Sequence, residues 1–429
     1  MSSPAADALD PVLTPEGWEL LNSLPPYDEQ TALQLNLRLR DAGHPPDRVA
    51  SALTQSRLRA AGRQKFGEFA ARMLFTHEGL QQSTRLAVAA RHAQRFRSAG
   101  LDRVVDLGCG LGGDALAAAS LGLSVTAVEA DENTAAAATM NLHPFPEANV
   151  QHGTAEDFAA TFDLLQAGAP RGWGLWLDPA RRDPHAAQET AAAGPTRLWD
   201  PESFSPPLSF VKALANTGTP MGVKLGPGLP HELIPSDCEA EWVSVDGDLV
   251  EVVLWFNALA RPGVRRAATL LPEDGSAAVE LVSDTDFGAG VQAEPSGREG
   301  LFGVLHEPDP AVIRSGLIAE LADSLGAHLL DEHIAYFCAD EPVTDPDYRL
   351  SRQFRVLEVD SFNLKTLKAW VTEAAVTSLE IKKRGVDVVP ERLRQQLLPK
   401  KRPKGPKRHA TLVITRLGEE RVFAVVEPL

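Results

Sequence analysis

The spacing of apolar and polar positions divides the chain into stretches with different periods. Residues 1–95 carry the helical period. Thr14-Pro15-Glu16 starts a helix, with a hydroxyl to cap it and proline in its first turn. Leu33, Leu35, Leu37 and Leu39 alternate as in a strand. Their Gln, Asn and Arg neighbours instead favour a helix with a broad apolar face. Pro45-Pro46-Asp47 breaks the chain and caps a helix holding Val49, Leu53 and Leu58. Further helices are expected from about Lys65 to Leu74 and from Gln81 to Phe96.

From Arg103 the period changes. Strands are predicted at 103–107, 124–129, 173–177, 221–224 and 250–256, and helices at 114–121 and 132–140. Strands alternating with helices at this spacing imply βαβ units, a mostly parallel sheet and the α/β class. Pro272 to Arg298 is rich in Gly, Ser, Asp, Glu and Pro, as in a linker or loop-rich hairpin. Helices near 311–325 lead to a last module. It reads strand 353–359, helix 364–374, strand 378–382, helix 390–398, strand 410–416 and strand 421–427, a βαβαββ order typical of a small α+β layer pair. The predicted division is a helical region over 1–95, an α/β domain over 96–271, connecting segments over 272–350 and an α+β module over 351–429.

Composition narrows the function. A chain of 429 residues with 44% hydrophobic and 23% charged positions is globular and long enough for two or three domains. Cys109, Cys238 and Cys338 are far apart and form no CxxC or Cys/His cluster, so neither a disulfide framework nor a metal site is expected. No apolar run approaches the roughly 20 residues of a membrane span, and no secretory leader opens the chain, so a cytoplasmic location is expected. The net charge of −16 excludes a uniformly basic coat for nucleic acid. Residues 362–429 nevertheless hold 15 Lys and Arg against 7 Asp and Glu, about +8. That local excess points to an anionic partner.

The candidate chemistry begins at Asp106-Leu-Gly108-Cys-Gly110-Leu-Gly112-Gly113-Asp114, between a strand and a helix. Glycines here permit a tight turn and close approach of a ligand to the backbone, and the helix start supplies N–H donors. Glu129 ends the next strand, where a carboxylate can accept from both hydroxyls of a ribose. Gly108-x-Gly110-x-x-Gly113 also satisfies the dinucleotide fingerprint. Two features favour adenosylmethionine. Asp106 would crowd a pyrophosphate but suits an ammonium, and glycines occupy alternate positions 108, 110 and 112. This segment resembles the class I S-adenosyl-L-methionine-dependent methyltransferases over residues 100–260. The resemblance implies a Rossmann-like, seven-stranded sheet with helices on both faces. It places Asp106, Gly108, Gly110 and Gly112 at the methionine side and Glu129 at the ribose. An acid and an alanine after the third strand contact adenine in that superfamily. Here the stretch is His152-Gly-Thr154-Ala155-Glu156-Asp157, so Ala155 with Glu156 or Asp157 are candidates, or the acids only cap a helix.

The predicted strand 173–177 ends in Asp178-Pro179-Ala180-Arg181-Arg182-Asp183. Methyl transfer needs an acceptor lone pair held in line with the methyl group. A carboxylate at a strand tip can take the acceptor N–H and set that direction, which makes Asp178 a catalytic candidate, together with Arg181 of the same motif. The motif resembles the Asp-Pro-Pro-Tyr and Asp-Pro-Pro-Arg sequences of nucleic-acid methyltransferases. Ala180 replaces the second proline, and no aromatic at 181 offers to stack on a flipped base. Arg181 and Arg182 can bind phosphate, or pair with Asp183 or Asp200. No cysteine sits where a covalent nucleophile is needed. Val223-Lys224-Leu-Gly226-Pro227-Gly228 follows another strand, and Lys224 either faces substrate or snorkels from the core.

In the last module, Lys382-Lys383-Arg384-Gly385 ends a strand, and six of the nine residues from Lys400 to Arg408, Lys401 among them, are cationic. Such runs follow phosphate chains or are simply solvated. The order of the whole chain is similar to a bacterial family of predicted methyltransferases with a C-terminal THUMP-like domain. Gly67–Gln94, Asp178-Pro-Ala-Arg-Arg, Val223-Lys-Leu-Gly-Pro-Gly, Glu307-Pro-Asp-Pro-Ala-Val-Ile-Arg and Leu379-Glu-Ile-Lys-Lys-Arg-Gly-Val-Asp-Val carry the similarity. It implies structured RNA, a transfer or ribosomal RNA base, as substrate. Lys383, Arg384 and Lys401 would then be RNA contacts. Methylation of a small molecule or protein, or RNA binding by an inactive core, are the alternatives. Nothing in the sequence singles out DNA or an oligomeric state.

Overall fold

In the computed structural model, residues 9–181, 200–273, 277–291, 294–398 and 407–429 are described. Arg182 and Lys401 lie outside the described residues, and of Arg181 only the backbone is described. The chain divides into two compact units. One comprises Met1–Leu225, Glu232–Cys238 and Val253–Arg261; the other comprises Gly226–His231, Glu239–Val252 and Pro262–Leu429.

The first unit opens with helices. Thr14 caps Pro15–Ser23 as expected, its side chain accepting from the Gly17 N–H. Ala32–Asp41 is a helix, but its alternating leucines divide: Leu35 and Leu39 are half-buried, with Leu39 against the core, while Leu33 and Leu37 stay 74% and 56% exposed. Two expected boundaries shift. Lys65 belongs to the long helix Pro46–Phe66, which Gly67 ends at φ +54, and a 3-10 turn Gly67–Arg72 follows. The helix expected over 81–96 is broken into His77–Gln82 and Leu86–Ser98. Lys65 accounts for the break, because its ammonium donates to the carbonyls of Leu80, Gln81 and Ser83 at 2.9, 2.6 and 2.7 Å. It thereby satisfies carbonyls that a continuous helix would have used.

The strands then follow: β1 Arg103–Leu107, β2 Ser124–Glu129, β3 Ala148–His152, β4 Trp173–Leu177, β5 Ala180–Arg181, β6 Phe204–Ser205 and β7 Met221–Leu225. Next come β8 Cys238–Val245, β9 Asp248–Phe256, β10 Arg266–Leu271 and β11 Val279–Ser283. Apart from the short pair β5–β6, these form one sheet of nine strands in the order β11-β10-β8-β9-β7-β4-β1-β2-β3. The expected seven strands are present and two are added: β10, parallel to β8, and β11, antiparallel to β10. The sequence of β11 had suggested a linker or hairpin, since its alternating pattern is short. The Ala-rich helix Gly113–Ser120 buries Ala115, Ala117 and Ala118, whose small side chains let it lie close to β1 and β2.

The second unit carries β12 Val304–Pro308, β13 His328–Leu329, β14 Phe337–Ala339, β15 Ser351–Ser361, β16 Ser378–Arg384, β17 His409–Leu417 and β18 Glu420–Pro428. They pair in the order β13-β14-β12-β15-β18-β17-β16. The βαβαββ module is thus present, and three strands before it widen its sheet. Val422, Ala424 and Val426 join one core with Val413, while Phe423 and Val425 join another with Leu412, Ile414 and the helices Leu364–Glu373 and Pro390–Leu397. Both faces of β17 and β18 are covered, which is why these strands read as continuous apolar runs.

Candidate functional site

The site follows from strand register. β1, β2, β4 and β7 are parallel, and Leu107, Val128, Leu177 and Val223 lie in one row across them. One step further along each strand stand Gly108, Glu129, Asp178 and Lys224. Every one of them lines a cavity of about 990 Å3 at the carboxyl edge of the sheet, the usual ligand position in an open parallel sheet. Gly110, Ala155 and Glu156 line it too.

The glycine loop turns sharply. Gly108, Gly110 and Gly112 have φ of +96, +54 and +80°, a region that side chains disfavour. The Gly108 and Cys109 N–H groups donate to the Val128 carbonyl at 2.9 and 3.0 Å, tying the loop to β2. Glu129 accepts from the Gly110 and Asp131 N–H groups, both at 2.9 Å. Each of its oxygens keeps a further acceptor position, so the carboxylate shapes the loop and still faces the cavity. A methyl group on Gly110 would meet no neighbour within 4 Å and would occupy open space beside the cavity wall. Gly110→Ala is therefore expected to abolish cofactor binding in a calorimetric titration, and undiminished affinity would exclude this loop. Gly112 does not line the cavity; it lies against Leu142 and Ala138 and serves packing.

Asp106 precedes the loop in β1 and, like Gly112, is not among the residues that line the cavity. It is 1% exposed, and neither carboxyl oxygen has a hydrogen-bond partner among the described residues. Burial, reinforced by the Asp114 and Asp178 carboxylates and opposed by Lys224, pushes its pKa well above the usual carboxylate range. Such an orphaned acid beside an acidic cavity suits a ligand cation.

Asp178 forms an ion pair with Lys224, whose ammonium also donates to Thr84 Oγ1 at 3.0 Å. Of the two sequence readings of Lys224, the snorkelling one gives way to this pairing inside the cavity. The backbone after Asp178 is pinned as β5 pairs antiparallel with β6, and Ser205 and Pro206 also line the cavity. Thr154 caps helix Ala155–Thr161, accepting from the Asp157 N–H at 3.1 Å and donating to the Asp157 carboxylate at 2.8 Å. Asp157 is thus committed to the cap, whereas Glu156 faces the cavity.

The sequence did not reveal one wall. Thr76, Glu78, Gly79, Gln82, Ser83 and Thr84 line the cavity from helix His77–Gln82, its cap and the turn after it. Buried Asn141 holds this segment to the glycine loop, accepting from Leu74 N at 2.7 Å and donating to the Leu74 and Leu111 carbonyls at 3.0 and 2.9 Å. Asp114 was also missed as a wall residue, although it closes the glycine motif. Burial alone would raise its pKa, but His92 at 2.8 Å, Lys224 and Thr84 hold it below the usual value. Cys109 lines the cavity, yet burial with Asp106 and Glu129 nearby pushes its thiol well above the ordinary range, leaving no thiolate nucleophile. Lys383 and Arg384 stand at the end of β16 in the second unit. No helix among the described residues is long and apolar enough to cross a membrane.

Comparison with known proteins agrees with this chemistry. The sequence matches a family described as THUMP domain-like over residues 351–428, and a domain of unknown function (DUF8688) over residues 5–62. Two relatives from Mycobacterium tuberculosis, strains CDC 1551 / Oshkosh and ATCC 25618 / H37Rv, are described as uncharacterized S-adenosylmethionine-dependent methyltransferases. Each is 30% identical over 379 residues, spanning 85% of this chain and 91% of the relative. A crystal structure from Porphyromonas gingivalis W83, named as a candidate methyltransferase, superposes with a TM-score of 0.68 at 18% identity, covering 94% of this chain and 99% of that one. That likeness extends the fold, a Rossmann-like sheet followed by an α+β region, over nearly the whole molecule. The chain belongs to the S-adenosylmethionine-dependent methyltransferases, with S-adenosyl-L-methionine as its cofactor and a THUMP-like domain over residues 351–428.

Proposed function

We propose that this methyltransferase acts on RNA in the cytoplasm, on a base of transfer or ribosomal RNA, with Asp178 as its reaction carboxylate. The observation that carries the catalytic part is the Asp178–Lys224 pair in the wall of the glycine-loop cavity. Bound there, the cofactor supplies a methyl group activated on a sulfonium. Asp106 would take its ammonium, Glu129 its ribose hydroxyls, and Ala155 and Glu156 would hold the adenine. Gly108 and Gly110 let the backbone approach, while Gly112 sets the turn. Asp114, Glu129 and Asp178 give the site an acidic character that suits a cationic cofactor.

Asp178 accepts the N–H of the acceptor and aims its lone pair at the methyl group, then takes the proton released. Lys224 keeps that carboxylate oriented and charge-balanced, and segment 76–84 excludes water. An acidic cavity does not attract phosphate, so cations elsewhere must hold the RNA. Arg181 and Arg182, three and four residues after Asp178 in the sequence, and Lys383, Arg384 and Lys401 in the THUMP-like domain, are assigned that role. Support for RNA comes from the THUMP-like match together with these cations.

The test is incubation with methyl-labelled cofactor and total RNA, followed by nucleoside mass spectrometry. One labelled nucleoside is expected, and RNA retention should fall steeply with added salt. Label in a protein or small-molecule fraction, with none in RNA, would overturn the substrate.

A further inference from the structure

The second unit contains its own cavity of about 560 Å3, inside the roughly 300–1,000 Å3 range of small-ligand sites. Two of the stretches that carry the family similarity, Glu307-Pro-Asp-Pro and Lys382-Lys-Arg384, are far apart in sequence and converge on it. Several of the charged side chains that line the cavity already have contacts. Lys382 donates to Glu307 at 2.8 Å, and Arg384 lies 5.1 Å over the ring of buried Tyr336. Asp309 accepts from the Ala311 N–H at 2.8 Å, and Asp246 from the Glu273 N–H at 3.2 Å.

Two lining cations are different. Arg349 and Arg352 are exposed and enter no ion pair among the described residues, although Arg352 stands near enough to Asp309 to favour its charged form. Gly247 leaves room for one of them, since a Cβ there would stand 3.3 Å from the Arg352 guanidinium. The remaining wall is apolar or aromatic, from Leu270, Leu271 and Pro308 to Tyr348. Tyr348 is fixed by a 2.8 Å hydrogen bond to Ser351 Oγ, which also contacts buried His306 at 2.8 Å. A guanidinium binds phosphate in a fork, and a rigid ring beside prolines and leucines accepts a flat heterocycle.

We infer that this cavity is a nucleoside-phosphate site, with the phosphate on Arg349 and Arg352 and the base against Tyr348 and the apolar wall. It is separate from the methyl-transfer cavity and would hold a nucleotide whether or not RNA is the methyl acceptor. The same chemistry is offered by a free nucleotide and by an unpaired nucleotide of RNA, and two arms of one experiment tell them apart.

The full chain is titrated with each ribonucleoside 5′-monophosphate, with inorganic phosphate, and with a short single-stranded RNA. Arg352→Glu and Arg349→Ala are compared with Lys365→Glu, an exposed charge reversal away from the cavity. Thermal unfolding and cofactor binding should match wild type in all three, because the altered side chains are exposed. Arg352→Glu is expected to weaken binding about tenfold or more, with Arg349→Ala weaker in effect and Lys365→Glu near wild type. Loss of mononucleotide binding with RNA affinity unchanged identifies a free nucleotide. Loss of RNA affinity beyond that of Lys365→Glu identifies RNA. The inference is overturned if no mononucleotide binds and RNA affinity is the same in all variants. It is also overturned if inorganic phosphate binds as tightly as every mononucleotide. Methyl labelling of RNA is read separately, so failure of this site and failure of the proposed substrate remain distinct.

Discussion

Asp178→Ala is expected to slow methyl transfer by about 10²–10⁴-fold, the contribution of one positioned acid–base group, while cofactor binding persists. The carboxylate stands at the tip of β4, one step beyond the row that aligns β1, β2, β4 and β7. Its ion pair with Lys224 fixes the direction in which it accepts a hydrogen bond. Removing it leaves the acceptor without an aimed lone pair and without a group to take the proton. It leaves the glycine loop and its tie to Glu129 in place. Lys224→Met should cause a smaller loss, because Asp178 then keeps its position in β4 but loses its cationic partner. Rapid-quench measurement of transfer, beside calorimetric measurement of cofactor affinity, separates the two effects. Equal transfer rates in wild type and Asp178→Ala would remove the carboxylate from the reaction.

Asp106→Asn should do the reverse, weakening the cofactor while stabilising the empty protein. A charge-assisted hydrogen bond contributes about 1.5–3 kcal/mol, so affinity should fall by roughly 10–100-fold. Both carboxyl oxygens lack partners among the described residues, and burial with Asp114 and Asp178 nearby raises the pKa well above normal, against the opposing pull of Lys224. A carboxyl that stays protonated in the fold but ionises when unfolded makes the folded state less stable as pH rises. That loss begins at the unfolded pKa, about 3.9, and ends at the raised folded value. Asparagine has no such loss, so the stability advantage of the variant should be absent at low pH and open as pH rises. An ammonium beside Asp106 favours its ionised form. Cofactor binding below the raised pKa should therefore release a proton and tighten with pH. Titrations in buffers of different ionisation heats read this directly. A variant that binds as wild type and gains no stability would place the cofactor ammonium elsewhere.

The parts of this fold legible in the sequence are those whose signals are local. β1, β2 and β4 begin and end where their apolar runs do, because both faces of these strands are buried. The glycine loop declares itself because three of its residues require positive φ. Lys224 and Asp178 were individually visible, but their pairing needed the adjacency of β4 and β7. The segment 76–84 could not be read as a wall. Its placement depends on Lys65, which interrupts the helix from well upstream in the chain, and on Asn141, which binds Leu74 from a helix far downstream. The helix Ala32–Asp41 shows the opposite failure: its leucines promised a buried face, and no partner segment covers Leu33 or Leu37 among the described residues. Gly112 carries a third lesson, since a glycine in the right motif position turned out to face Leu142 and Ala138 rather than the cavity.

The central claim is that the glycine-loop cavity holds the cofactor and Asp178 directs its methyl group. A single-turnover experiment tests it, with protein preloaded with methyl-labelled cofactor and then mixed with RNA, wild type against Asp178→Asn. Label should move to RNA in the wild type and at least about a hundredfold more slowly in the variant, with the cofactor still bound. Transfer at equal rates, or a wild-type protein that cannot be loaded, would contradict it.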